Sequence, residues 1–261
     1  MTDGRYLRGR HAIVTGGGQG IGAAVASELA RLGADVTIMG RDQGRLDAHA
    51  ATIAKAHGVK AAAVRCDVSD AASVADAFRA ARERHGAPYI LVNNAGQSEG
   101  AAFTATTLAL WNQLIAVNLT GTFLCMQQVV PSMIEAKAGR IVNIASISGL
   151  VAFQMVAAYT ASKHGVIGLT KVVALETAKQ GITVNAVCPA YVDTAMAQLA
   201  IRNLMKSGKT EEEATKMIIR TIPRGSLITP QEVADAVAWL CSPGASGVTG
   251  EALKVAGGGA L

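Results

Sequence analysis

Aromatic and charged side chains are both scarce in this sequence. Phe, Trp and Tyr make up 4% of its 261 residues, and Asp, Glu, Lys and Arg together only 16%. Few aromatic side chains disfavour a surface on which nucleic-acid bases or sugar rings stack. The formal net charge is +5, but Lys and Arg are scattered along the chain. No nucleic-acid partner is expected, and a mild positive field suits phosphate-bearing small molecules better.

The cysteines lack the spacing of a metal site or of a disulfide framework. The four of them lie far apart, in or beside apolar runs, at Cys66, Cys125, Cys188 and Cys241. This distribution predicts buried thiols in a reducing compartment and no metal site.

Signals for export or membrane insertion are also missing. The first ten residues, MTDGRYLRGR, have no apolar signal core, and no stretch approaches about 20 uninterrupted apolar residues. We therefore predict a cytoplasmic protein with no membrane association.

Apolar runs alternate with helical patterns along the chain. Hydrophobic residues make up 50% of it, and 28 glycines supply turns. The runs read as strands are HAIVT, ADVTIMG, KAAAVRCDV, YILVNNAG, RIVNIAS, ITVNAVCP and EALKVAGG. Strands that are apolar on both faces and alternate with helices indicate a parallel sheet covered by helices on each side. The prediction is one α/β domain over residues 1–261, a doubly wound parallel sheet of about seven strands.

Two stretches depart from this alternation. A long helical pattern covers Leu108 to Ala136, with Pro131 as a predicted kink or break. Residues 190–223 follow the sixth strand, are Met-rich and helical, and contain the polar segment SGKTEEE. Such an insertion fits a substrate lid, and a surface helical hairpin is the alternative.

A glycine-rich turn lies between the first strand and the first helix. Its sequence is TGGGQGIG, with glycines at Gly16, Gly17, Gly18, Gly20 and Gly22. Glycines there permit a tight turn and let backbone N–H groups approach a pyrophosphate at the helix N-terminus. The position between a strand and a helix makes this a strong signal for a dinucleotide.

The end of the second strand bears on which dinucleotide binds. An acidic side chain there accepts from a ribose 2′-hydroxyl, whereas a cation favours a 2′-phosphate. Arg41 is the first residue after that strand, and Asp42 reads as the N-cap of the next helix. These residues favour NADP(H) over NAD(H).

Three polar side chains in SISGLVAFQMVAAYTASK suggest acid–base chemistry. Tyr159 and Lys163 lie four apart in a helical pattern and therefore share one face. An ammonium about 4 Å from a phenol favours the phenolate by roughly 4 kcal/mol at an effective dielectric of ~20, about three pKa units. We therefore expect Lys163 to lower the Tyr159 pKa. Ser146 follows the fifth strand, at the sheet edge where ligands bind.

These residues together resemble the short-chain dehydrogenase/reductase family over nearly the whole chain. Thr15–Gly22 resembles its glycine-rich motif, Cys66-Asp67-Val68 its adenine-binding segment, and Asn93-Asn94-Ala95-Gly96 the motif that steadies the sheet beside the cofactor. Asn118, Ser146, Tyr159 and Lys163 fall where the family places its catalytic tetrad. The resemblance implies a Rossmann-like fold and a homotetramer built through the helices around Asn112–Ala136 and Ala157–Lys179.

The resemblance also implies roles for individual residues. Tyr159 exchanges a proton with the substrate oxygen, Ser146 hydrogen-bonds that oxygen, and Asn118 helps carry the proton through Lys163 to solvent. Lys163 also holds the nicotinamide ribose. The implied cofactor-binding residues are Gly16, Gly18, Gln19, Gly20, Ile21, Gly22, Arg41, Asp67, Val68, Asn94, Ala95, Gly96, Tyr159, Lys163, Pro189, Val192 and Thr194.

Two positions depart from the family pattern. Ala190 stands where the family usually has glycine, and a methyl group there could narrow the nicotinamide end or shift the lid. LKVAGGG has alanine where the family often has an acidic residue.

The substrate is less well defined than the reaction. The segment from Ala161 to Pro189 resembles reductases of 3-oxoacyl thioesters (carrier-protein, CoA or polyketide) and dehydrogenases of 3-hydroxybutyrate-like acids. We expect a ketone–alcohol oxidoreductase, with a 3-oxoacyl-thioester reductase preferred. The alternatives are an NAD-dependent dehydrogenase of a hydroxy acid, hydroxyacyl-CoA or cyclic alcohol, and a dinucleotide-binding protein without catalysis. Arg202, Lys206 and Lys209 are the only clear cations near the site for a free acid.

Overall fold

Seven parallel strands form one sheet at the centre of the molecule. The computed structural model describes residues 4–206 and 208–259. The strands are β1 His11–Thr15, β2 Asp35–Gly40, β3 Ala61–Arg65, β4 Ile90–Asn93, β5 Gly139–Ile144, β6 Ile182–Pro189 and β7 Ala252–Val255. The helices are α1 Gly20–Arg31, α2 Gln43–His57, α3 Ala71–His85, α4 Leu108–Ile115, α5 Gly121–Ala136, α6 Ala157–Thr177, α7 Ala195–Met205, α8 Glu211–Ile219 and α9 Pro230–Leu240.

Helices cover both faces of this sheet. Val25 of α1, Leu46 of α2 and Val237 of α9 belong to one buried apolar cluster. Phe78 of α3 and Val129 of α5 belong to a second. The predicted doubly wound, Rossmann-like α/β fold is confirmed. The continuous apolar runs arise because each central strand is buried on both faces.

The strand order places a crevice beside the first strand. The order across the sheet is β3-β2-β1-β4-β5-β6-β7. The chain first adds strands to one side of β1 and then crosses to the other side at β4. Ligands of open α/β sheets bind at such a reversal, outside the carboxyl ends of the strands.

The long helix before β5 differs from its prediction. Helical structure continues through Pro131 to Ala136, so the predicted break there is wrong. The irregularity is one π-helical turn, Ala116–Thr120, between α4 and α5. Proline removes the helical hydrogen bond to the Gln127 carbonyl, and the Arg82 guanidinium donates to the carbonyl of the next residue, Gln128, at 3.2 Å.

By length and composition alone, this same segment, Leu108–Ala136, could cross a membrane. Three of its α5 side chains, Cys125, Met126 and Val129, are buried against the sheet. Such burial is typical of the core helix of a globular domain.

The predicted lid region forms a helical pair after β6. Ile201 of α7 and Ala214 and Ile218 of α8 make a small apolar cluster of their own. Thr210 and Glu213 begin α8 with reciprocal side-chain and backbone hydrogen bonds. The helical pattern is confirmed, and a role as a lid stays a prediction.

Candidate active site

The glycine-rich turn has no room for side chains at three of its positions, Gly16, Gly17 and Gly22. Gly16 has φ +64°, and a Cβ on it would lie 2.7 Å from the Asn94 Nδ2 atom. A Cβ on Gly22 would lie 2.3 Å from the Gly16 carbonyl oxygen. Glycine is required here because the backbone approaches itself and Asn94 so closely.

The turn leaves the beginning of α1 free for an anion. Gln19 is the N-cap residue, and its side chain makes no capping hydrogen bond. The first N–H groups of a helix have no partner within it and carry partial positive charge. This arrangement suits the pyrophosphate of a dinucleotide.

Asn94 holds the turn against the fourth strand. Its side-chain nitrogen donates to the carbonyls of Thr15 at 3.0 Å and Gly16 at 3.2 Å. The Thr15 hydroxyl accepts from the backbone of Asn94 and Ala95. Asn93 reaches the other way, donating to Asn143 of β5 at 2.8 Å. These bonds explain physically why an Asn-Asn pair ends β4.

A cleft of about 330 Å³ opens at the carboxyl ends of β1 to β4. Several of the predicted cofactor residues line it: Gly16, Gly18, Gln19, Arg41, Asp67, Val68, Ala95 and Gly96. The absence of a Cβ at the turn, the free helix N-terminus and this cleft together fit a dinucleotide.

Charged side chains surround the outer end of the cleft. As predicted, Asp42 caps α2, accepting from the Arg45 N–H at 3.1 Å. The Arg45 guanidinium lies 3.6 Å from the Asp42 carboxylate and donates to Gln19 across the cleft. Arg41 also lines this end. The Ser69 hydroxyl donates a hydrogen bond to the Asp67 carboxylate and lowers its pKa. The positive charges of Arg41 and Arg65 lower that pKa further.

Ser146 and Tyr159 are brought together beyond the end of β5. Ser146 is buried, begins a short helical turn, and accepts from the Ser148 N–H at 3.1 Å. Burial raises the pKa of Tyr159, and a hydrogen bond with the Ser146 side chain partly opposes that rise. The phenol is therefore neutral near pH 7 and available as a proton donor.

Lys163 does not lower the Tyr159 pKa as predicted. Its Nζ lies 5.7 Å from the centre of the Tyr159 ring and donates to the Ile144 carbonyl at 2.8 Å. Burial lowers the Lys163 pKa to about 8. The prediction is wrong for the chain by itself because burial disfavours both charged forms, the phenolate and the ammonium.

Asn118 lies in the π-helical turn and is fully buried. Its side chain accepts from the Gln97 N–H at 2.8 Å and donates to the Gln97 carbonyl at 2.9 Å. It also donates to the Ser162 hydroxyl, beside Lys163. Gly96 lies beside both Asn118 and Lys163, since a Cβ built on it would be 3.2 Å from Asn118 Oδ1 and 3.6 Å from Lys163 Nζ. Single π turns occur often at functional sites.

The remaining predicted cofactor residues lie around the cleft. Thr194 packs beside Gly20, with its methyl group 3.2 Å from where a Cβ would be. Pro189 ends β6, Val192 is buried and paired with Ile228, and Ile21 packs on the core next to the turn. Ala190 is not one of the described residues with a left-handed backbone. Its methyl group therefore strains nothing in the main chain.

Within residues 4–206 and 208–259, no group of three or more His, Cys, Asp or Glu side chains could hold a metal ion. The cysteines are free thiols and buried, as predicted. Cys188 lies close to the site, where the Ser146 N–H and the Lys163 charge oppose the burial that raises its pKa to about 11.

Comparison with known families identifies the family to which this dinucleotide cleft and its Ser-Tyr-Lys residues belong. The family model of the short chain dehydrogenases matches residues 10–204. The chain belongs to the short chain dehydrogenase family. It is an oxidoreductase that interconverts a ketone and an alcohol with a nicotinamide cofactor.

Individual members of the family are similar over almost their whole length. A variant of actinorhodin polyketide ketoreductase, solved with NADPH, superposes with a TM-score of 0.91 at 40% identity and covers 95% of this chain and 96% of its own. The 3-oxoacyl-acyl-carrier-protein reductase of Aquifex aeolicus is 38% identical, over 97% of this chain and 98% of its own. D-beta-hydroxybutyrate dehydrogenase of Cupriavidus necator is 39% identical, over 97% and 98%.

Two residues of this short chain dehydrogenase were missed from sequence. Arg45 and Gln97 both line the cleft. Arg45 lies in the first turn of α2, directly after the strand end that holds Arg41, so its place in the sequence could have indicated a second cation there. Gln97 had no comparable signal, since its position depends on the side chain of Asn118, twenty-one residues later.

Proposed function

We propose that this short chain dehydrogenase reduces 3-oxoacyl thioesters with NADPH, and that Asn118, Ser146, Tyr159 and Lys163 are its catalytic residues. The placement of the Ser146 hydroxyl beside the Tyr159 phenol carries this proposal, and burial, which raises the pKa of Tyr159, keeps the phenol protonated. A protonated phenol is the form that reduction of a carbonyl consumes.

Each of the four residues has a distinct task in this mechanism. Ser146 orients the substrate oxygen toward Tyr159 and stabilises the negative charge that develops on it. Tyr159 gives its hydroxyl proton to that oxygen. Lys163, whose pKa of about 8 allows proton exchange near neutral pH, then returns a proton from solvent toward the phenolate, and Asn118 holds the backbone of Gln97 in place beside it. Hydride donation to the carbonyl carbon is the chemistry that a bound nicotinamide supplies.

Arg41 and Arg45 favour NADP(H). Both residues line the cleft beside the ends of β2 and β3, where the adenosine half of a dinucleotide would lie. Asp42 is engaged with α2 and Arg45 and is therefore a poor acceptor for a ribose hydroxyl. A 2′-phosphate would take the place of Asp42 and Gln19 as the partner of Arg45, with a stronger charge-assisted hydrogen bond.

A thioester fits the surroundings of Tyr159 better than a free acid. Between Gln97 and Thr107 and between Leu150 and Ala158, Glu99 is the single ionisable residue. A substrate carboxylate has no cation in these two segments. Reduction of ketoacyl thioesters is also the activity named for the similar Aquifex aeolicus protein.

Oxidation of 3-hydroxybutyrate is the second candidate. The similarity to D-beta-hydroxybutyrate dehydrogenase supports it. It requires a cation for the substrate carboxylate, and the lid carries Arg202, Lys206 and Lys209. In this reading α7 and α8 close over the site and bring one of those cations to the substrate.

The deciding experiment is a matrix of two cofactors and two substrates. Purified protein is assayed for NADPH- and NADH-dependent reduction of 3-oxobutanoyl-CoA and for NAD⁺- and NADP⁺-dependent oxidation of 3-hydroxybutyrate. We expect the highest kcat/KM with NADPH and the thioester. Faster turnover of 3-hydroxybutyrate with NAD⁺ would replace this proposal with the second candidate. Binding of both cofactors without any turnover would favour a protein that is not an enzyme.

We further propose a cytoplasmic homotetramer assembled through α5 and α6. Apolar side chains project outward from both helices: Phe123, Ile134, Val172 and Leu175. Leu175 is 81% exposed, and contact with a second subunit would remove this apolar side chain from water.

A further inference from the structure

Two buried hydroxyl groups of α6 make hydrogen bonds of the same kind. Ser162 and Thr170 are both 0% exposed. The Ser162 hydroxyl donates to the Tyr159 carbonyl at 2.7 Å. The Thr170 hydroxyl donates to the Val166 carbonyl, also at 2.7 Å. A carbonyl oxygen can only accept, so each hydroxyl is the donor in this bond and its own oxygen is left to accept from another group.

Each hydroxyl oxygen accepts from the side chain of a different asparagine. The Thr170 oxygen accepts from Asn143 Nδ2 at 2.9 Å, which ties α6 to β5. The Ser162 oxygen accepts from Asn118 Nδ2 at 3.1 Å, which ties α6 to the π-helical turn. The two hydroxyl groups are therefore alike in burial and in bonding, but Ser162 lies among the proposed catalytic residues.

Ser162 joins two halves of the proposed site. In one half, the Asn118 carboxamide bonds both the N–H and the carbonyl of Gln97. In the other half, Tyr159 precedes Ser162 by three residues on α6, and Lys163 follows it directly. The hydrogen bond from Asn118 to Ser162 therefore sets how far Asn118 lies from the helix that carries Tyr159 and Lys163.

We infer that Ser162 is a positioning residue for the proposed reaction, and that its hydroxyl holds Asn118 in place relative to Tyr159 and Lys163. This inference rests on the proposed function and adds a residue that acts through Asn118 instead of on the substrate. Without the hydroxyl, one N–H of the buried Asn118 carboxamide loses its acceptor, which favours a shift of the π-helical turn. A displacement of about 1 Å among groups that position a reaction can lower its rate 100-fold.

A comparison of Ser162→Ala with Thr170→Val separates this role from a structural one. Each substitution removes one buried hydroxyl and leaves one asparagine N–H without its acceptor, so both should lower Tm similarly, on the order of 5 °C. Ser162→Ala should lower kcat about tenfold on the substrate that the wild type turns over, with each KM changed less than about twofold. Thr170→Val should keep kcat within about twofold of the wild type. An equal loss of kcat in both variants would overturn the inference, because weakening of α6 would then explain it.

A double-mutant cycle tests whether Ser162 acts through Asn118. Asn118→Ala removes the carboxamide, so adding Ser162→Ala to it should lower kcat by less than about twofold further. A further tenfold loss in the double variant would overturn the inference while the proposed reaction stands. Absence of wild-type turnover on both the thioester and 3-hydroxybutyrate would instead overturn the proposed function, and this inference with it.

Discussion

Tyr159 and Lys163 lie one turn apart on α6, with the lysine ammonium 5.7 Å from the ring centre and bonded to the Ile144 carbonyl. Burial disfavours the charge on each of them, raising one pKa and lowering the other to about 8. The Tyr159 phenol therefore holds its proton near pH 7, as a proton donor to a carbonyl oxygen must.

Replacement of the Tyr159 hydroxyl should remove turnover selectively. In Tyr159→Phe, one oxygen atom is lost and the ring keeps its packing, so we expect kcat to fall by at least about 100-fold. The shift in Tm on adding NADPH should change by less than about 2 °C. Tyr191→Phe is the control, since Tyr191 is a neighbouring phenol close enough to influence the Tyr159 pKa, and its removal takes away the same atom. If Tyr159→Phe retained turnover, another group would have to supply the proton.

The sequence predicted the order and type of elements because the signals are local. Apolar runs, glycines and capping residues such as Asp42 act within a few positions, and they identified the sheet, the turn and the N-cap of α2. The pKa of Tyr159 could not be predicted, because it depends on burial by segments far apart in the chain. The π turn at Asn118 and the left-handed backbone of Met155, with φ +68°, could not be predicted either. Each is held by hydrogen bonds to a distant segment, from Gln97 to Ala101, and has no signature in its own neighbourhood.

Arg45 should contribute to the choice of cofactor. Removing its charge in Arg45→Gln should weaken NADPH binding about tenfold, because one charge-assisted contact to the 2′-phosphate is lost. NADH binding should change less than about twofold. Fluorescence titration of both cofactors measures the difference, which should shrink at high salt.

Arg79→Gln is the control for that experiment. Arg79 pairs with Asp76 at 2.8 Å with the same i,i+3 spacing as Arg45 and Asp42, but on the exposed side of α3. It should leave both affinities unchanged. Equal weakening of NADPH and NADH by Arg45→Gln would mean that Arg45 contacts a part that the two cofactors share.

Leu175 offers a test of the proposed tetramer. A charge buried in an apolar interface is costly, so Leu175→Glu should reduce the molar mass measured by light scattering at micromolar concentration. Met217→Glu on α8 adds the same charge at an exposed apolar residue outside α5 and α6 and should leave the mass unchanged. A wild-type mass equal to that of one chain would contradict the proposal directly.

A hydrogen-bonded network of three side chains, His11, Thr37 and His85, should make the free energy of unfolding depend on pH. His11 Nδ1 lies 2.8 Å from the Gly86 carbonyl, which can only accept, so this nitrogen carries the proton of neutral His11. His11 Nε2 then accepts from the Thr37 hydroxyl at 2.9 Å, and Thr37 accepts from His85 Nδ1 at 3.2 Å. A second proton on His11 disrupts this order of donors and acceptors.

Burial lowers the His11 pKa from 6.5 to about 4, and the hydrogen bond to the Gly86 carbonyl and the Asp35 charge, which favour the charged form, only partly offset this. The unfolded chain therefore binds a proton at higher pH than the folded one. Stability from this residue is complete above pH 6.5 and is lost progressively as the pH falls to about 4, by on the order of 3 kcal/mol. Urea unfolding at pH 7, 6, 5 and 4 measures the loss. His11→Gln should reduce this loss of stability. His49→Gln changes a histidine of α2 that is not part of the three-residue network, and it should not reduce the loss. An equally steep loss in His11→Gln would assign the pH dependence to other groups, because glutamine cannot take up the proton whose binding to the unfolded chain causes it.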